Sequence, residues 1–177
     1  MGLSKEPLIT ADAIAKRVVE LAAAISRDYA HRDILVLVVL KGAAIFAADL
    51  IRHLATPARL EFVRARSYTG RRSAGAVEIT VWPERSLAGQ DVLVIEDILD
   101  TGRTTAAILD RVEAEGPASL AYCALLDKPS GRVCELRDGY TGFTIGGEFV
   151  VGYGLDYNEH YRELPAIHLW TPSGPTD

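Results

Sequence analysis

Residues 91–109 read DVLVIEDILDTGRTTAAIL. The first half is a polar residue followed by the apolar run Val92-Leu93-Val94-Ile95, the pattern of a strand buried on both faces of a parallel sheet. Glu96 and Asp97 are expected to end that strand, Asp100-Thr101-Gly102 to form a tight loop, and Thr104 to Glu115 to form a helix. A strand, a short loop and a helix N-terminus make an anion cup, because the first backbone N–H groups of a helix lack intrahelical partners and sit at the positive end of its dipole. Gly102 lets the backbone come close to a ligand. Glu96 and Asp97 would repel a bare phosphate, so their partners are hydroxyl groups or a divalent cation that bridges to phosphate oxygens. A sugar phosphate meets both demands. An ordinary strand-to-helix crossover with acidic caps needs one acid, and this loop carries three, Glu96, Asp97 and Asp100.

The run from Val92 to Thr104 resembles the phosphoribosyl-pyrophosphate signature of the type I phosphoribosyltransferases: an apolar run, Glu-Asp, two apolar residues, then a short Thr-Gly loop. The resemblance implies an α/β fold with a twisted, largely parallel sheet flanked by helices. It also implies that Glu96, Asp97, Thr101, Gly102, Arg103, Thr104 and Thr105 hold the ribose and its 5-phosphate.

With 177 residues the chain suits one domain, 1–177, and its 49% hydrophobic and 24% charged content is that of a soluble globular protein. A net charge of -5 and a pI near 5.4 give no general attraction for nucleic acid or an anionic membrane, so any phosphate site has to be local. The N-terminal MGLSKEPLIT has no apolar core segment, and the run Ile34 to Leu40 is far too short to span a bilayer. A cytoplasmic setting is expected. Cys123 and Cys134, without a CxxC spacing or a nearby His cluster, read as reduced structural thiols.

Thr10 precedes a helical pattern from Ala11 to about Tyr29, a packing helix with no assigned chemistry. Ile34 to Leu40 is a second two-faced strand, ending at Lys41-Gly42 before a helix from Ala43 to Leu54. Alone, Lys41-Gly42 is a surface lysine beside a turn glycine. At the carboxyl end of a parallel strand, where open α/β sheets bind ligands, it belongs on the same edge as Glu96 and Asp97. Arg59 to Arg66 and Val77 to Trp82 form strands around the polar stretch 67–75, which from sequence is either a long hairpin loop or a mobile lid. Ser119 to Leu126 is the next buried strand, and Lys128 follows it, a placement that spacing alone leaves even between site and surface. Finally, residues 148–162, EFVVGYGLDYNEHYR, put aromatic, glycine, acid and arginine residues at close quarters. Phe149 suits stacking on a planar base, Asp156 suits a hard cation, and Arg162 suits a bidentate grip on pyrophosphate. Asp156 reads as the one carboxylate aimed at that side.

From Ile34 to Arg162 the chain resembles the hypoxanthine-guanine phosphoribosyltransferases. The resemblance implies transfer of 5-phosphoribose from phosphoribosyl pyrophosphate to hypoxanthine or guanine, with Mg2+, giving IMP or GMP and pyrophosphate. It implies that Lys41 and Gly42 bind pyrophosphate through backbone groups, that Ser67 and Tyr68 sit on a closing lid, and that Lys128 donates to the exocyclic oxygen of a 6-oxopurine. Val150 would read the purine's other edge, Asp100 would serve as general base, and Asp156 with Glu96 and Asp97 would serve the metal. A hood from about 1–30 and 130–170 is expected over the sheet, and a homo-oligomer, dimer or tetramer. One departure is Gly146-Gly147, where relatives carry Pro-Asp, which loosens the approach to Phe149. A nucleotide-sensing regulator that binds RNA or DNA on the same fold is the rival class. The acidic pI and the intact Asp100 count against it. A transferase for another base is opposed by Asp100 and Lys128.

Overall fold

The computed structural model describes residues 2–67 and 77–171. Its elements in chain order are β1 (Gly2–Leu3), α1 (Ala11–Asp28), β2 (Ile34–Leu40), α2 (Ala44–His53), β3 (Ala58–Ser67), β4 (Val77–Val81), β5 (Asp91–Leu99), α3 (Arg103–Ala114), β6 (Ser119–Asp127), a 3-10 turn (Pro129–Gly131), β7 (Tyr140–Thr144), β8 (Val150–Val151) and β9 (His168–Thr171). The main sheet has six strands in the order β4-β3-β2-β5-β6-β7, all neighbours parallel except the antiparallel pair β3 and β4.

Alternation along the central strands builds two cores. Ile34, Val36 and Val38 of β2, Leu93 and Ile95 of β5, and Cys123 and Leu125 of β6 pack toward α1 and α2. The intervening residues Leu35, Leu37, Val39, Val92, Val94 and Ala124 pack toward Ile108, Leu109 and Val112 of α3. A strand that alternates between two cores has no polar face, which is why these segments are continuous apolar runs. In α1 the buried residues Ile14, Val18, Leu21, Ala22 and Ile25 recur every three or four positions, and the Thr10 side chain accepts from the Ala13 N–H at 3.2 Å to cap the helix.

The chain leaves β2 through α2 to reach β3 on one side, and leaves β5 through α3 to reach β6 on the other. The β2–β5 boundary is therefore the point where the winding reverses, and the crevice beyond the strand ends opens there. Pairing between them stops at Val38 and Ile95.

Two expectations are corrected. Glu96 and Asp97 do not end β5, since its ladder with β6 runs on to Leu99 opposite Asp127. The acids lie beyond the last β2 pair while still braced by β6, so they stand in the crevice on rigid backbone. The hood is also narrower than 1–30 and 130–170. Helix α1 belongs to the main core, and β7 extends the main sheet beside β6. What stands apart is a small antiparallel sheet, β1-β9-β8, with the loops around it. Arg17 of α1 explains part of this, since it donates to the carbonyls of Gly142 at 2.9 Å and Thr141 at 2.8 Å and so fastens β7 to the main body.

Candidate active site

Two cavities meet at the carboxyl end of β5. One, of about 310 Å³, is lined by Glu96, Asp97, Ile98, Asp100, Thr101, Gly102, Thr104 and Thr105, which is the cup anticipated from the sequence. The second, of about 230 Å³, is lined by Asp97, Ile98, Asp100, Lys128, Phe149, Val150, Leu155 and Asp156. Asp97, Ile98 and Asp100 are common to both, so the two cavities share one wall.

In the first cavity Gly102 stands at the helix N-cap with φ 81, a left-handed conformation open to glycine, and aims the first turn of α3 at the cup. Thr105 is buried and its hydroxyl donates to Glu96 at 3.3 Å, so its side chain braces the acid. Arg103 is not among the cup's lining residues, and its backbone N–H donates to the Thr101 hydroxyl at 3.4 Å. Glu96 is buried, and loss of water followed by repulsion from Asp97 pushes its carboxyl well above the usual range. Burial raises Asp97 too, against the lowering effect of its hydrogen bonds and of Arg162. Burial and the closeness of the two groups thus oppose having both acids charged together.

The second cavity holds a buried lysine. Lys128 is 7% exposed, and its ammonium has no ion pair or side-chain hydrogen bond among the described residues. Its backbone N–H donates to Leu99 O at 2.9 Å, which places it beside the end of β5. Phe149 is 47% exposed on the opposite chain segment, next to the start of β8.

A third group flanks both cavities. The Leu40–Lys41 peptide is cis. Lys41 Nζ lies 2.8 Å from Glu159, whose carboxylate is also 3.4 Å from Arg162. Arg162 pairs with Asp156 at 2.8 Å and donates to Gly154 O at 2.7 Å. Hydrogen bonding to Lys41 holds the Glu159 carboxyl below its ordinary range. Asp156 is therefore not alone on this side, and Glu159 is the residue that sequence reasoning missed. A Cβ on Gly42 would overlap the Asp97 carboxylate, and one on Gly154 would overlap Gly42 O. Segments from residues 42, 97 and 154 are packed here to contact.

Arg132 was also not foreseen. It pairs with Asp127 and donates to Leu99 O at 3.4 Å and Asp100 O at 3.3 Å, fastening the loop that carries Asp100. Gly131 packs under the Asp100 carboxylate, and a Cβ there would overlap it. Ser67 ends β3, whereas Tyr68 and the lid expected around it lie outside the described residues. Among the described residues no three His, Cys, Asp or Glu side chains form a ready-made metal cage.

The model of the phosphoribosyl transferase domain matches residues 8–158. The chain belongs to the phosphoribosyl transferase family. Among similar members, the hypoxanthine-guanine phosphoribosyltransferase of Streptococcus pneumoniae is 41% identical over 92% of this chain and 91% of its own length. The crystal structure of a hypoxanthine-guanine phosphoribosyltransferase from Bacillus anthracis superposes with a TM-score of 0.90 at 40% identity, covering 94% of this chain and 99% of that one. A hypoxanthine phosphoribosyltransferase from Staphylococcus aureus gives a TM-score of 0.90 at 40% identity over 95% and 92%. The two-cavity crevice described above is thus built on a phosphoribosyl transferase scaffold. No helix among the described residues is long and apolar enough to cross a membrane.

Proposed function

We propose that the protein is a hypoxanthine-guanine phosphoribosyltransferase, moving 5-phosphoribose from phosphoribosyl pyrophosphate to N9 of hypoxanthine or guanine and releasing IMP or GMP with pyrophosphate. The observation that carries this reading is the shared wall at Asp97, Ile98 and Asp100, with a phosphate cup on one side and a lysine-and-phenylalanine pocket on the other. A reaction that joins a sugar phosphate to a planar base needs two adjoining compartments with the reacting carbon between them.

In this reading the 5-phosphate takes the N–H groups of Thr101 to Thr105, and the ribose hydroxyls take Glu96 and Asp97. Ribose binding supplies those acids with donors and stabilises their ionised form. The base lies against Phe149, its C6 oxygen on Lys128 and its far edge on the Val150 backbone. As N9 bonds to C1′, the C1′–O bond breaks and pyrophosphate departs with the electron pair. Lys41, Gly42 and Arg162 stabilise that leaving charge, and Asp100 takes the proton released from the imidazole ring through N7. The Lys41-Gly42 loop serves pyrophosphate through its backbone groups, while the Lys41 and Arg162 side chains hold Glu159 at 2.8 and 3.4 Å.

Magnesium, when bound, neutralises pyrophosphate oxygens and fixes their orientation. The donors near that side are hard carboxylates, Asp156 foremost with Glu96 and Asp97, and such oxygen donors suit Mg2+, which keeps waters and substrate oxygens in its shell. A homo-oligomer, dimer or tetramer, belongs to the same proposal and is supported by Leu60, Phe62 and Val81, exposed by 41%, 41% and 43% on the β3–β4 edge. So does a cytoplasmic setting, with no nucleic-acid or membrane partner.

The test is pyrophosphate release from phosphoribosyl pyrophosphate with a panel of free bases. Release with hypoxanthine and guanine supports the reading, and absence of release with both ends it.

A further inference from the structure

The loop that leads to Phe149 lacks stiffness of its own. Ile145 to Phe149 passes through Gly146-Gly147, residues 146–149 are exposed, and Phe149 stands 47% open to solvent. A face meant to orient a flat ligand needs a support, because an aromatic ring free to rotate loses the advantage of a fixed platform. The structure provides that support from the C-terminal strand. The Trp170 N–H donates to Phe149 O at 2.8 Å, and Val150 pairs with Leu169 in the next register position. The rings continue the contact: Phe149 meets Tyr157 edge to face with centroids 5.9 Å apart at 88°, and Tyr157 lies on Trp170 at 4.9 Å and 31°. Tyr161 packs on Trp170 from another side at 4.9 Å, while reciprocal backbone bonds of 3.1 Å between Tyr157 and His160 close the turn that carries Tyr157.

Trp170 is 7% exposed, and its indole Nε1 has no hydrogen-bond partner among the described residues. A buried indole usually finds a partner for its N–H, and leaving the donor unmet is a cost. The ring surface is therefore what this position uses. Neither Tyr157 nor Trp170 lines the cavity that holds Phe149 and Lys128.

We propose that Trp170, acting through Tyr157, is a positioning residue that holds the Phe149 ring in register with the base and compensates for the Gly146-Gly147 approach. This rests on the reading of Phe149 as the base platform. Three features separate it from a role in stability alone. It concerns the base and not the sugar, it asks for ring area and not for the indole N–H, and it ties Trp170 to the occupied site.

Each gives a measurement. Trp170→Leu is expected to raise KM for hypoxanthine and guanine about three- to tenfold, the range that one aromatic contact supports, with KM for phosphoribosyl pyrophosphate and kcat near parental values. Trp170→Phe should restore the parental KM. Parental base KM in Trp170→Leu, or an equal rise in both KM values, overturns the proposal. Phe149→Ala separates the two readings. If it leaves base KM unchanged, the platform reading itself fails, whereas a rise there without one in Trp170→Leu removes only the present inference. Should Trp170→Leu not fold, Trp82→Phe leaves Trp170 as the single tryptophan of the two in the chain, and its emission can be followed during titration with GMP. A saturable change in Trp170 emission that Phe149→Leu abolishes supports the proposal, and an emission indifferent to GMP, or equally responsive in Phe149→Leu, overturns it.

Discussion

The cavity proposed for phosphate and the cavity proposed for the base are built in opposite ways. The cup's lining comes from one continuous stretch, Glu96 to Thr105, in which a strand, a loop and a helix start set the order of its groups, with Arg132 and β6 bracing it from outside. The base pocket gathers Lys128 from the end of β6, Phe149 and Val150 from the small sheet, and Asp156 from the loop beyond, and none of these neighbours is set by its own segment. The teaching is that a group transferred unchanged can be gripped by a cassette, while the choice among similar acceptors is left to a remote assembly. That assembly can be retuned without disturbing the cassette.

The largest test of this division is selectivity. The Lys128 ammonium has three donors and no acceptor, so it meets a C6 oxygen and opposes the C6 amino group of adenine. Rejection of adenine by ~10,000-fold or more is expected from such a site. Lys128→Ala should lower hypoxanthine turnover and narrow the margin, and competition between the two bases measures both. Comparable parental activity with adenine would remove the pocket from substrate choice.

Next is the shared wall. Asp100→Asn keeps size and hydrogen bonding but not basicity, so kcat should fall ~100- to 10,000-fold with little change in KM for phosphoribosyl pyrophosphate. Near-parental turnover at neutral pH would assign the proton to another group. On the flank, Asp156→Ala should weaken magnesium-dependent sugar binding about 10- to 100-fold, and it also frees Arg162 from a 2.8 Å pair. Unchanged magnesium dependence in a calorimetric titration would free Asp156 of that duty.

The smallest effect touches the cup alone. Because burial raises the Glu96 carboxyl, the folded protein holds a proton there that the unfolded chain gives up at lower pH. The stability tied to that proton is complete below the ordinary glutamate range and is lost as pH rises through the raised value. Glu96→Gln should therefore melt higher than the parent at pH 8 in the absence of substrate, by roughly 2–4 °C, the shift that about 1 kcal/mol gives at this size. The difference should shrink toward pH 5. A lower melting temperature at pH 8 would show that the acid is not strained by burial. The same variant should bind the sugar less well, since an amide is a poorer acceptor for ribose hydroxyls.

The division also explains what the sequence revealed. The runs Ile34–Leu40, Val92–Ile95 and Leu120–Leu126 are almost wholly apolar because they face two cores, and each could be read directly, whereas the continuation of β5 through Glu96 and Asp97 to Leu99 could not, because its acids break the apolar run. The strand Tyr140–Thr144 could not, since YTGFT carries no such run and owes its state to pairing with β6 and to the Arg17 guanidinium. In the cup, Glu96 to Gly102 announced themselves by spacing. Glu159 did not, because its meaning comes from Lys41, 118 residues away, and an exposed acid in a turn carries no mark of that partner. Arg132 was hidden for a related reason: its grip on Asp127 and on two carbonyls depends on the turn Pro129–Gly131 folding back across the end of β5. Trp170 carried no mark of its contact with the Tyr157 ring, which comes from a turn thirteen residues earlier folding back onto β9.

The contact of Gly154 with Gly42, and of Gly42 with Asp97, has a mechanical meaning. The Gly154 backbone rests on Gly42 O, and Gly42 rests on the Asp97 carboxylate, with no room for a methyl group at either step, so a substitution at residue 42 or 154 would be transmitted directly to an acid of the cup.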